Sequence, residues 1–343
     1  MKPSRTLAPL VPLYAACAAL KNYVYDEGLV PPERLAAPAI SMGNLSTGGT
    51  GKTPLVRALA TLLQEKGWSL DVLSRGYGRS SQHPVEAVDP EGPAQRYGDE
   101  PLLLARSGLP VFVGRSRYDA GLLAEAHHAA SGSESRLVHL LDDGFQHRKL
   151  ARTMEIVLLQ RRDFSDRLLP AGHLREPLHS LHRADVCVLR EEDSDLASRA
   201  RAAMFAAEDA ARVWLQRRSM RVDGIADVPP QRAIVFCGIG NPAQFFAEVR
   251  AAGIHCAQQV AFADHHAYTD RDIDALVERA RASQADAFVT TEKDTLRLEG
   301  ALRETLETFA PVRVARLTTT LLEPEHCLRQ IEALFHRRAN VRG

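Results

Sequence analysis

Short apolar runs alternate with helical patterns through the first two-thirds of the chain. The runs are PAISM, LDVLS, PVFVG, RLVHLLD, EIVLLQ and DVCVLR. The clearest helical pattern covers Thr53 to Lys66, and Gly67 ends it. Its apolar face is formed by Leu55, Val56, Leu59, Leu62 and Leu63. Short strands that are apolar on both sides and separated by helices predict an α/β fold, with a mostly parallel sheet and helices on both faces.

A second series of strand and helix patterns follows a proline-containing segment at residues 226–231. It comprises the strand AIVFCGIG, a helix from Pro242, and the strands DAFVTT and PVRVARL. We therefore predict a first domain over residues 1–225 and a smaller C-terminal α/β domain over residues 226–320. Residues 321–343 are predicted to contain a last helix, which could pack on either domain.

Composition narrows the class of protein without defining its chemistry. The 343 residues carry 43 basic and 43 acidic side chains, and the hydrophobic fraction is 45%. This balance is typical of a globular protein and gives no reason to expect nucleic acid as the main partner. Five scattered cysteines without a C-x-x-C pair argue against disulfide and metal frameworks and fit a reducing compartment. They are Cys17, Cys187, Cys237, Cys256 and Cys327.

The N-terminal segment from Leu7 to Leu20 has no charged residue. A helix that spans a bilayer needs about 20 residues, so this stretch is short, and Pro9 and Pro12 interrupt its beginning. Two interpretations remain open. The segment is either a helix packed in the core or an interfacial helix lying on a membrane surface.

The stretch SMGNLSTGGTGKTP ends in the tail of a phosphate-binding P-loop. Such a loop surrounds the β-phosphate with backbone N–H groups at a helix N-terminus. Lys52 would reach the β- and γ-phosphates, and the Thr53 hydroxyl would bind Mg²⁺. Ser46 stands where the general pattern has glycine, and Gly43 could move the turn upstream. A glycine-rich turn that only caps a helix is the alternative. The predicted ATP-binding residues are Ser46, Thr47, Gly48, Gly49, Thr50, Gly51, Lys52 and Thr53.

A P-loop also needs an acidic group for its metal at the end of a neighbouring strand. RLVHLLDDGFQHR supplies Asp142 and Asp143 there. An apolar strand that ends in carboxylates is typical of the second metal-binding element of P-loop enzymes. We predict Thr53, Asp142 and Asp143 as the Mg²⁺ site, with a simple Asp-Asp-Gly turn as the alternative.

Further polar residues follow other predicted strands, where open α/β sheets bind their ligands. Asp99 could be a functional carboxylate or merely a helix cap. His265 and His266 could be a satisfied loop cluster or could include a catalytic imidazole. Six arginines in these loops could face one crevice, although any single one could be an ordinary solvent-exposed side chain. They are Arg75, Arg79, Arg115, Arg117, Arg148 and Arg175.

The motifs together resemble the tetraacyldisaccharide 4'-kinase family of lipid A biosynthesis. The resemblance is carried by GNLSTGGTGKTP, RGYGR, GDEP, LDDGFQHR, LLPAGHLREP, DHHAY and TTEKD, which run from Gly43 to Asp294. That family carries Ser or Thr where most P-loops have their first glycine, so Ser46 departs from the general motif but not from the family. No role for Thr290 to Asp294 follows from the sequence.

The resemblance implies an ATP- and Mg²⁺-dependent kinase. The acceptor would be the 4'-hydroxyl of a tetraacyldisaccharide 1-phosphate, and the product the 4'-phosphorylated lipid A precursor, lipid IVA. Asp99 would accept the hydroxyl proton, His265 would pair with Asp99, and Lys52 would act on the transferred phosphate. The substrate residues expected from the motifs are Arg75, Arg79, Arg117, Arg148, Arg175 and Glu176.

The same resemblance implies a peripheral, monotopic protein on the cytoplasmic face of the bacterial inner membrane. It favours the interfacial interpretation of Leu7 to Leu20, and no obligate protein partner is evident. Two other functions remain open at this point. One is a P-loop kinase for a soluble metabolite, and the other is a nucleotide-dependent switch or binding protein, which would not need Asp99.

Overall fold

The computed structural model describes residues 5–49, 51–133, 135–204, 212–224, 230–298 and 300–340. Thr50 of the predicted phosphate loop lies outside these residues. Most of the predicted segment between the two domains, including residue 226, also lies outside them. The domain boundary therefore stays a prediction.

Eleven α-helices and twelve strands are assigned in the described residues. The helices are α1 (Val11–Asp26), α2 (Lys52–Gln64), α3 (Ala94–Tyr97), α4 (Asp99–Arg106), α5 (Arg117–Ala130), α6 (Ala197–Ala203), α7 (Pro242–Ala251), α8 (Asp270–Ser283), α9 (Glu292–Thr295), α10 (Ala301–Phe309) and α11 (Pro324–Asn340). The strands are β1 (Ala39–Asn44), β2 (Trp68–Ser74), β3 (Val85–Ala87), β4 (Val111–Gly114), β5 (Arg136–Asp142), β6 (Met154–Leu158), β7 (Val186–Arg190), β8 (Arg212–Val222), β9 (Ala233–Cys237), β10 (Cys256–Ala261), β11 (Ala287–Thr291) and β12 (Val312–Leu321).

All twelve strands form one sheet in the order β10-β9-β11-β12-β8-β7-β6-β1-β5-β2-β4-β3. The pairs are parallel except for β3 with β4 and β8 with β12. The long antiparallel pair of β8 and β12 joins the first series of strands to the second. Every apolar run quoted above contains the greater part of a strand, and the predicted α/β class is confirmed. β3 and β10 were not predicted, because one is three residues long and the other is a half-exposed edge strand.

The core explains why these runs form central strands. Every residue of β1 is buried, as expected for a parallel strand covered on both faces. The predicted apolar face of α2 is buried against the sheet. The last helix packs on α2 and β2, with the Phe335 ring edge-on to Trp68 at 5.3 Å between ring centres. Of the two packing alternatives for α11, the structure shows packing on the first domain.

The N-terminal helix has a different environment from α2. A short 3-10 helix, Arg5–Leu10, leads into α1, and no residue of α1 is buried. Leu13 and Leu20 are 66% and 64% exposed. The core interpretation of this segment is therefore wrong. By length and composition, Thr6–Asp26 is the one helical stretch in the described residues that could cross a membrane. An N-terminal signal sequence would meet the same criteria. The role of α1 therefore has to be inferred from its contacts with the rest of the chain, which are described below.

Candidate active site

The phosphate loop connects the end of β1 to the start of α2. Gly51 is the residue before the first helical turn, and its φ of +88° lies in the left-handed region. Gly48 has a φ of +101°. Side chains with a Cβ are disfavoured at both positions, so these two glycines allow the loop to turn into the helix. Lys52 begins α2 and Thr53 follows it, as in a P-loop.

Gly43 does not serve the turn. It lies inside β1, and a Cβ built on it would come within 2.4 Å of the Phe145 Cβ. The suggestion that Gly43 moves the turn upstream is therefore wrong; it is a glycine because Phe145 approaches the strand closely. Ser46 is fully buried, and its backbone forms a bridge to Leu174. The Thr47 N–H also donates to the His173 carbonyl at 2.9 Å. The loop is thus held by the segment containing LLPAGHLREP.

Lys52 reaches from α2 to the ends of two strands. Its Nζ lies 3.1 Å from Asn44 Oδ1 and 3.2 Å from Asp143 Oδ1. The other oxygen of Asp143 accepts from Arg175 Nη1 at 2.9 Å. Burial alone would raise the pKa of Asp143, but the positive charges of Lys52 and Arg175 outweigh it and lower that pKa. Both oxygens of Asp143 are therefore compensated by protein cations.

Asp142 is the last residue of β5 and is 6% exposed. Burial raises the pKa of its carboxyl to about 6; the nearby charge of Lys52 opposes this shift and that of Asp143 adds to it. Arg117 lies close enough to favour the charged carboxylate, while burial lowers the pKa of its own guanidinium to about 10. No described group of three or more His, Cys, Asp and Glu side chains could hold a metal ion. A metal here would depend on one or two carboxylates together with other oxygen ligands.

A second cluster forms at the start of α4. Asp99 is the first residue of that helix and is 8% exposed. His265 Nδ1 lies 3.0 Å from Asp99 Oδ2. Arg297 Nη2 donates to the same oxygen and lies 2.7 Å from His265 Nδ1. The N-cap position of α4 is occupied by Gly98, and Asp99 follows it as the first helical residue, so the alternative role of Asp99 as the helix cap is not supported.

The two neighbouring histidines have separate partners. His266 Nε2 lies 3.0 Å from Asp272 Oδ2, in the first turn of α8. His265 has a φ of +61°, which aims its side chain out of that loop toward Asp99. Arg297 was missed by the sequence reasoning, because it lies three residues after TTEKD in a segment with no recognisable pattern.

The TTEKD segment positions this cluster. Asp294 is fully buried and accepts hydrogen bonds from the Gly238 N–H and the Tyr268 hydroxyl, both at 2.9 Å. These contacts fix the loop that carries His265. The next residue back, Lys293, forms an ion pair with Glu100 of α4. Burial would raise the pKa of Glu100, but the charge of Lys293 lowers it.

Glu292 extends the same connection to the phosphate-loop helix. Its carboxylate accepts from Arg57 Nη1 of α2 at 3.0 Å and from Arg316 Nη1 of β12 at 2.8 Å. The segment therefore links the end of β11 to α2, α4 and β12. Its role, which the sequence did not reveal, is to join the second series of strands to the elements that carry Lys52 and Asp99.

The predicted substrate residues fall into three places. Arg117 and Arg175 lie near Asp142 and Asp143. Arg79 is engaged away from them with Glu86 and the His83 carbonyl, and Arg75 is exposed, close enough to Arg117 to affect its pKa. The remaining two, Arg148 and Glu176, hold α1. Their partners are Asp26 and Asn22 for Arg148, and Asn22 and Arg183 for Glu176.

A cavity of about 280 Å³ lies between α1 and this site. Tyr14 donates its hydroxyl to the Arg175 carbonyl at 3.0 Å, and Lys21 donates to the Gln146 carbonyl at 2.8 Å. Burial lowers the pKa of Lys21. One side of α1 is thus fixed to the residues beside Asp143, while Leu13 and Leu20 face outward.

A P-loop at the end of β1, carboxylates at the end of β5 and the pair of Asp99 on α4 with the distant His265 define a phosphotransferase of the P-loop kinase class. Comparison with known proteins identifies the family. The family model for tetraacyldisaccharide-1-P 4'-kinase matches residues 3–336. The chain belongs to the tetraacyldisaccharide-1-P 4'-kinase family.

Individual relatives agree with this assignment. The tetraacyldisaccharide 4'-kinase of Koribacter versatilis is 38% identical, with 96% of this chain and 99% of that protein aligned. That of Chromobacterium violaceum is also 38% identical, over 87% and 85% of the two chains. A crystal structure of the "apo" form of LpxK from Aquifex aeolicus in complex with ATP covers 96% of this chain and 98% of its own, with 30% identity and a TM-score of 0.74. The predicted family and kinase activity are confirmed, and neither the soluble-metabolite kinase nor the nucleotide switch is favoured.

Proposed function

We propose that the chain transfers the γ-phosphate of ATP to the 4'-hydroxyl of a tetraacyldisaccharide 1-phosphate, forming the 4'-phosphorylated lipid A precursor. The observation that carries the proposal is the meeting of two clusters. Lys52 of α2 contacts Asp143 at the end of β5, and Arg57 of the same helix donates to the Leu103 carbonyl of α4, the helix that Asp99 begins, at 2.9 Å. A phosphate held on the loop would therefore lie near the carboxylate that is to activate the acceptor.

The nucleotide side would act through positioning and charge. The backbone N–H groups of Ser46 to Thr53 would surround the β-phosphate at the N-terminus of α2. Lys52 would exchange part of its contact with Asp143 for the β- and γ-phosphates. Phosphoryl transfer spreads negative charge over the equatorial oxygens, so a fixed ammonium group lowers the barrier.

The residues present fit Mg²⁺. Asp142 is a carboxylate without a close ion pair among the described residues, and Thr53 offers a hydroxyl at the second position of α2. Mg²⁺ in such sites takes one or two carboxylates together with phosphate oxygens and water. When bound, the metal would neutralise charge on the β- and γ-phosphates. Asp143 would contribute less to the metal, because Arg175 pairs with its Oδ2, and Lys52 pairs with its Oδ1 when no nucleotide is bound.

The acceptor side would supply the base. The 4'-oxygen forms a bond to the γ-phosphorus while the bond from that phosphorus to the β–γ bridging oxygen breaks, and ADP leaves. The hydroxyl proton passes to the Asp99 carboxylate, which His265 and Arg297 hold in place. A positioned base contributes about 10²–10⁴-fold to such a step.

The lipid would reach this site along α1. The side of α1 that holds Tyr14 and Lys21 contacts the residues around Asp143, and its other side exposes Leu13 and Leu20. An exposed apolar face of this kind suits the boundary between lipid headgroups and acyl chains. We infer that the chain lies on the cytoplasmic face of the inner membrane, where ATP is present, with α1 as its contact.

The direct test is phosphate transfer from γ-labelled ATP to the purified tetraacyldisaccharide 1-phosphate in mixed vesicles. The expected product is a labelled lipid that carries its new phosphate at the 4'-position. ATP turnover without acceptor is the control and should be far slower. Fast hydrolysis that the lipid does not increase, with no labelled lipid, would contradict the proposal.

A further inference from the structure

Arg218 lies against the phosphate loop, although it comes from β8, more than 160 positions away along the chain. Its side chain is only 9% exposed. A Cβ built on Gly51 would lie 3.4 Å from both Cζ and Nη1 of Arg218, so the guanidinium packs directly on the residue before Lys52. No P-loop pattern includes this residue, and the family motifs quoted from the sequence do not contain it.

The guanidinium has unused hydrogen-bond donors. Its Nε and Nη1 are buried and have no hydrogen-bond partner among the described residues. Nη2 lies 3.7 Å from Glu248 Oε1, which is an ion pair but too long for a hydrogen bond. Burial and the like charge of Arg190 lower the pKa of Arg218 to about 10. The side chain is still a cation at neutral pH, and leaving its buried donors unpaired costs free energy.

Arg217, the neighbour of Arg218 on β8, is an ordinary surface arginine and serves for comparison. Successive side chains of a strand point to opposite faces, so Arg217 lies on the other face from Arg218. Arg217 is exposed and forms a two-bond ion pair with Glu191, at 2.6 and 2.8 Å. Gln216, two residues before Arg218 and on its face, is also buried, and its Oε1 lacks a partner. The unpaired polar atoms are thus confined to the face that meets the loop.

We propose that Arg218 is a nucleotide-binding residue that donates from Nε and Nη1 to the polyphosphate of bound ATP. The inference rests on the proposed function, because it requires that the loop holds a nucleotide. The guanidinium fork matches the spacing of phosphate oxygens, and a polyanion supplies the acceptors and the charge that the buried cation lacks. β8 pairs with β12, the strand that leads out of the second series, so the nucleotide would also contact the element that joins the two series.

The competing explanation is that Arg218 only fills space beneath Gly51. Methionine has a similar length and no charge, so Arg218→Met separates the two explanations. A space-filling role predicts unchanged ATP affinity. A nucleotide-binding role predicts weaker ATP affinity together with an unliganded melting temperature that is equal to or higher than that of the wild type, since an unpaired buried cation has been removed.

The test is calorimetric titration of ATP with Mg²⁺ into wild type, Arg218→Met, Arg218→Lys, Arg217→Met and Lys52→Ala. We expect Arg218→Met to raise the Kd for ATP about 10- to 100-fold, the range for one or two charge-assisted hydrogen bonds. Arg217→Met, the matched control, should stay within about twofold of wild type because its ion pair is on the surface. The rise in melting temperature caused by ATP should be smaller in Arg218→Met than in wild type.

Two results distinguish failure of this inference from failure of the proposed function. Wild-type affinity in Arg218→Met with lost affinity in Lys52→Ala overturns the role of Arg218 and leaves the phosphate loop in place. Wild-type affinity in both variants overturns the loop itself as the nucleotide site. If Arg218→Met does not fold, Arg218→Lys decides: lysine keeps the charge without the fork, so we expect a Kd at least about fivefold higher, and an unchanged Kd overturns the proposal.

Discussion

The two sides of the proposed site, a nucleotide side and an acceptor side, are built in opposite ways. The nucleotide side uses one short segment, from Asn44 to Thr53, and the two carboxylates at the end of β5, which pairs directly with β1. The acceptor side joins Asp99 on α4 to His265 and Arg297, which lie 166 and 198 positions away along the chain. One side is local in sequence, and the other exists only where the first series of strands meets the second.

This difference indicates how each side is stabilised. The loop that carries Lys52 is fixed by backbone hydrogen bonds to the segment around His173. The acceptor cluster depends on the buried carboxylate of Asp294 and on the ion pairs of Lys293 and Glu292, which span the two series. We therefore expect nucleotide-side changes to affect ATP binding and transfer together. Acceptor-side changes should affect transfer while ATP binding persists.

On the nucleotide side, the largest effect should come from Lys52. Lys52→Ala should lower kcat by about 10²–10³-fold, because the ammonium group stabilises charge that develops on the transferred phosphate. The variant should fold, since Lys52 is not part of a hydrophobic cluster. Turnover is measured with saturating lipid, and circular dichroism serves as the folding control. A near-normal rate would remove the loop from the mechanism.

Substitutions of the two carboxylates on the nucleotide side, Asp142 and Asp143, should change the Mg²⁺ requirement to different extents. Asp142→Asn should lower kcat by about 10–100-fold and raise the Mg²⁺ concentration needed for half-maximal activity. Asp143→Asn should lower kcat with a smaller change in Mg²⁺ requirement, because Asp143 pairs with Lys52 and Arg175. The measurement is a Mg²⁺ titration of activity. An unchanged Mg²⁺ profile in both variants would show that Asp142 and Asp143 form a structural turn and do not bind the metal.

The Mg²⁺ concentration that the wild type needs for half-maximal activity should depend on pH. Burial raises the pKa of Asp142 to about 6 when no metal is bound, and a proton competes with the metal for that carboxylate. The Mg²⁺ requirement should therefore rise as the pH falls through about 6 and level off above it.

On the acceptor side, Arg297→Gln should lower kcat by about tenfold and leave the KM for ATP nearly unchanged. Arg297 holds the Asp99 carboxylate beside the His265 imidazole, so its loss should slow proton transfer without weakening nucleotide binding. Arg303→Gln is a control, because Arg303 forms an exposed pair with Glu307 in α10. A lower melting temperature and a weaker ATP affinity, in place of a selective loss of kcat, would make Arg297 a packing residue only.

The sequence could predict the parts of the site whose residues are close together along the chain, but not those whose residues are far apart. The phosphate loop, its strand and helix, and the carboxylates of β5 were predicted, because each depends on residues close together or on adjacent strands. The contact between Asp99 and His265 was expected only through the family resemblance. Arg218 and Arg297 have no motif of their own, and their positions depend on how β8 and the segment after β11 pack against the first series of strands. No propensity of the chain encodes that packing locally.

The N-terminal helix illustrates the same limit. Its apolar composition fits both a core helix and a surface helix, and only its exposure in the folded chain separates them. The loop prediction failed at Gly43 for a related reason. The close approach of Phe145, about 100 positions later, is invisible in the local pattern.

The smallest effect on chemistry should come from α1. Replacing Leu13 and Leu20 with Glu should release the protein from lipid vesicles and raise the KM for the lipid acceptor several-fold, with the KM for ATP unchanged. Both side chains are about two-thirds exposed, so the fold should persist. Vesicle flotation and thermal melting are the measurements. Full membrane binding by the double variant would contradict the role of α1 as the membrane contact.

We propose that Asp99 and His265 act as one unit across the two series of strands, and a double-mutant cycle in kcat measures their coupling. Asp99→Ala and His265→Ala should each lower kcat by about 10²–10⁴-fold, the range for a general base. Their contact at 3.0 Å predicts that the double variant is little worse than the poorer single variant. The KM for ATP should stay close to the wild-type value in all three. Losses that multiply fully in the double variant would show that the two residues act independently and that Asp99 and His265 do not form a catalytic pair.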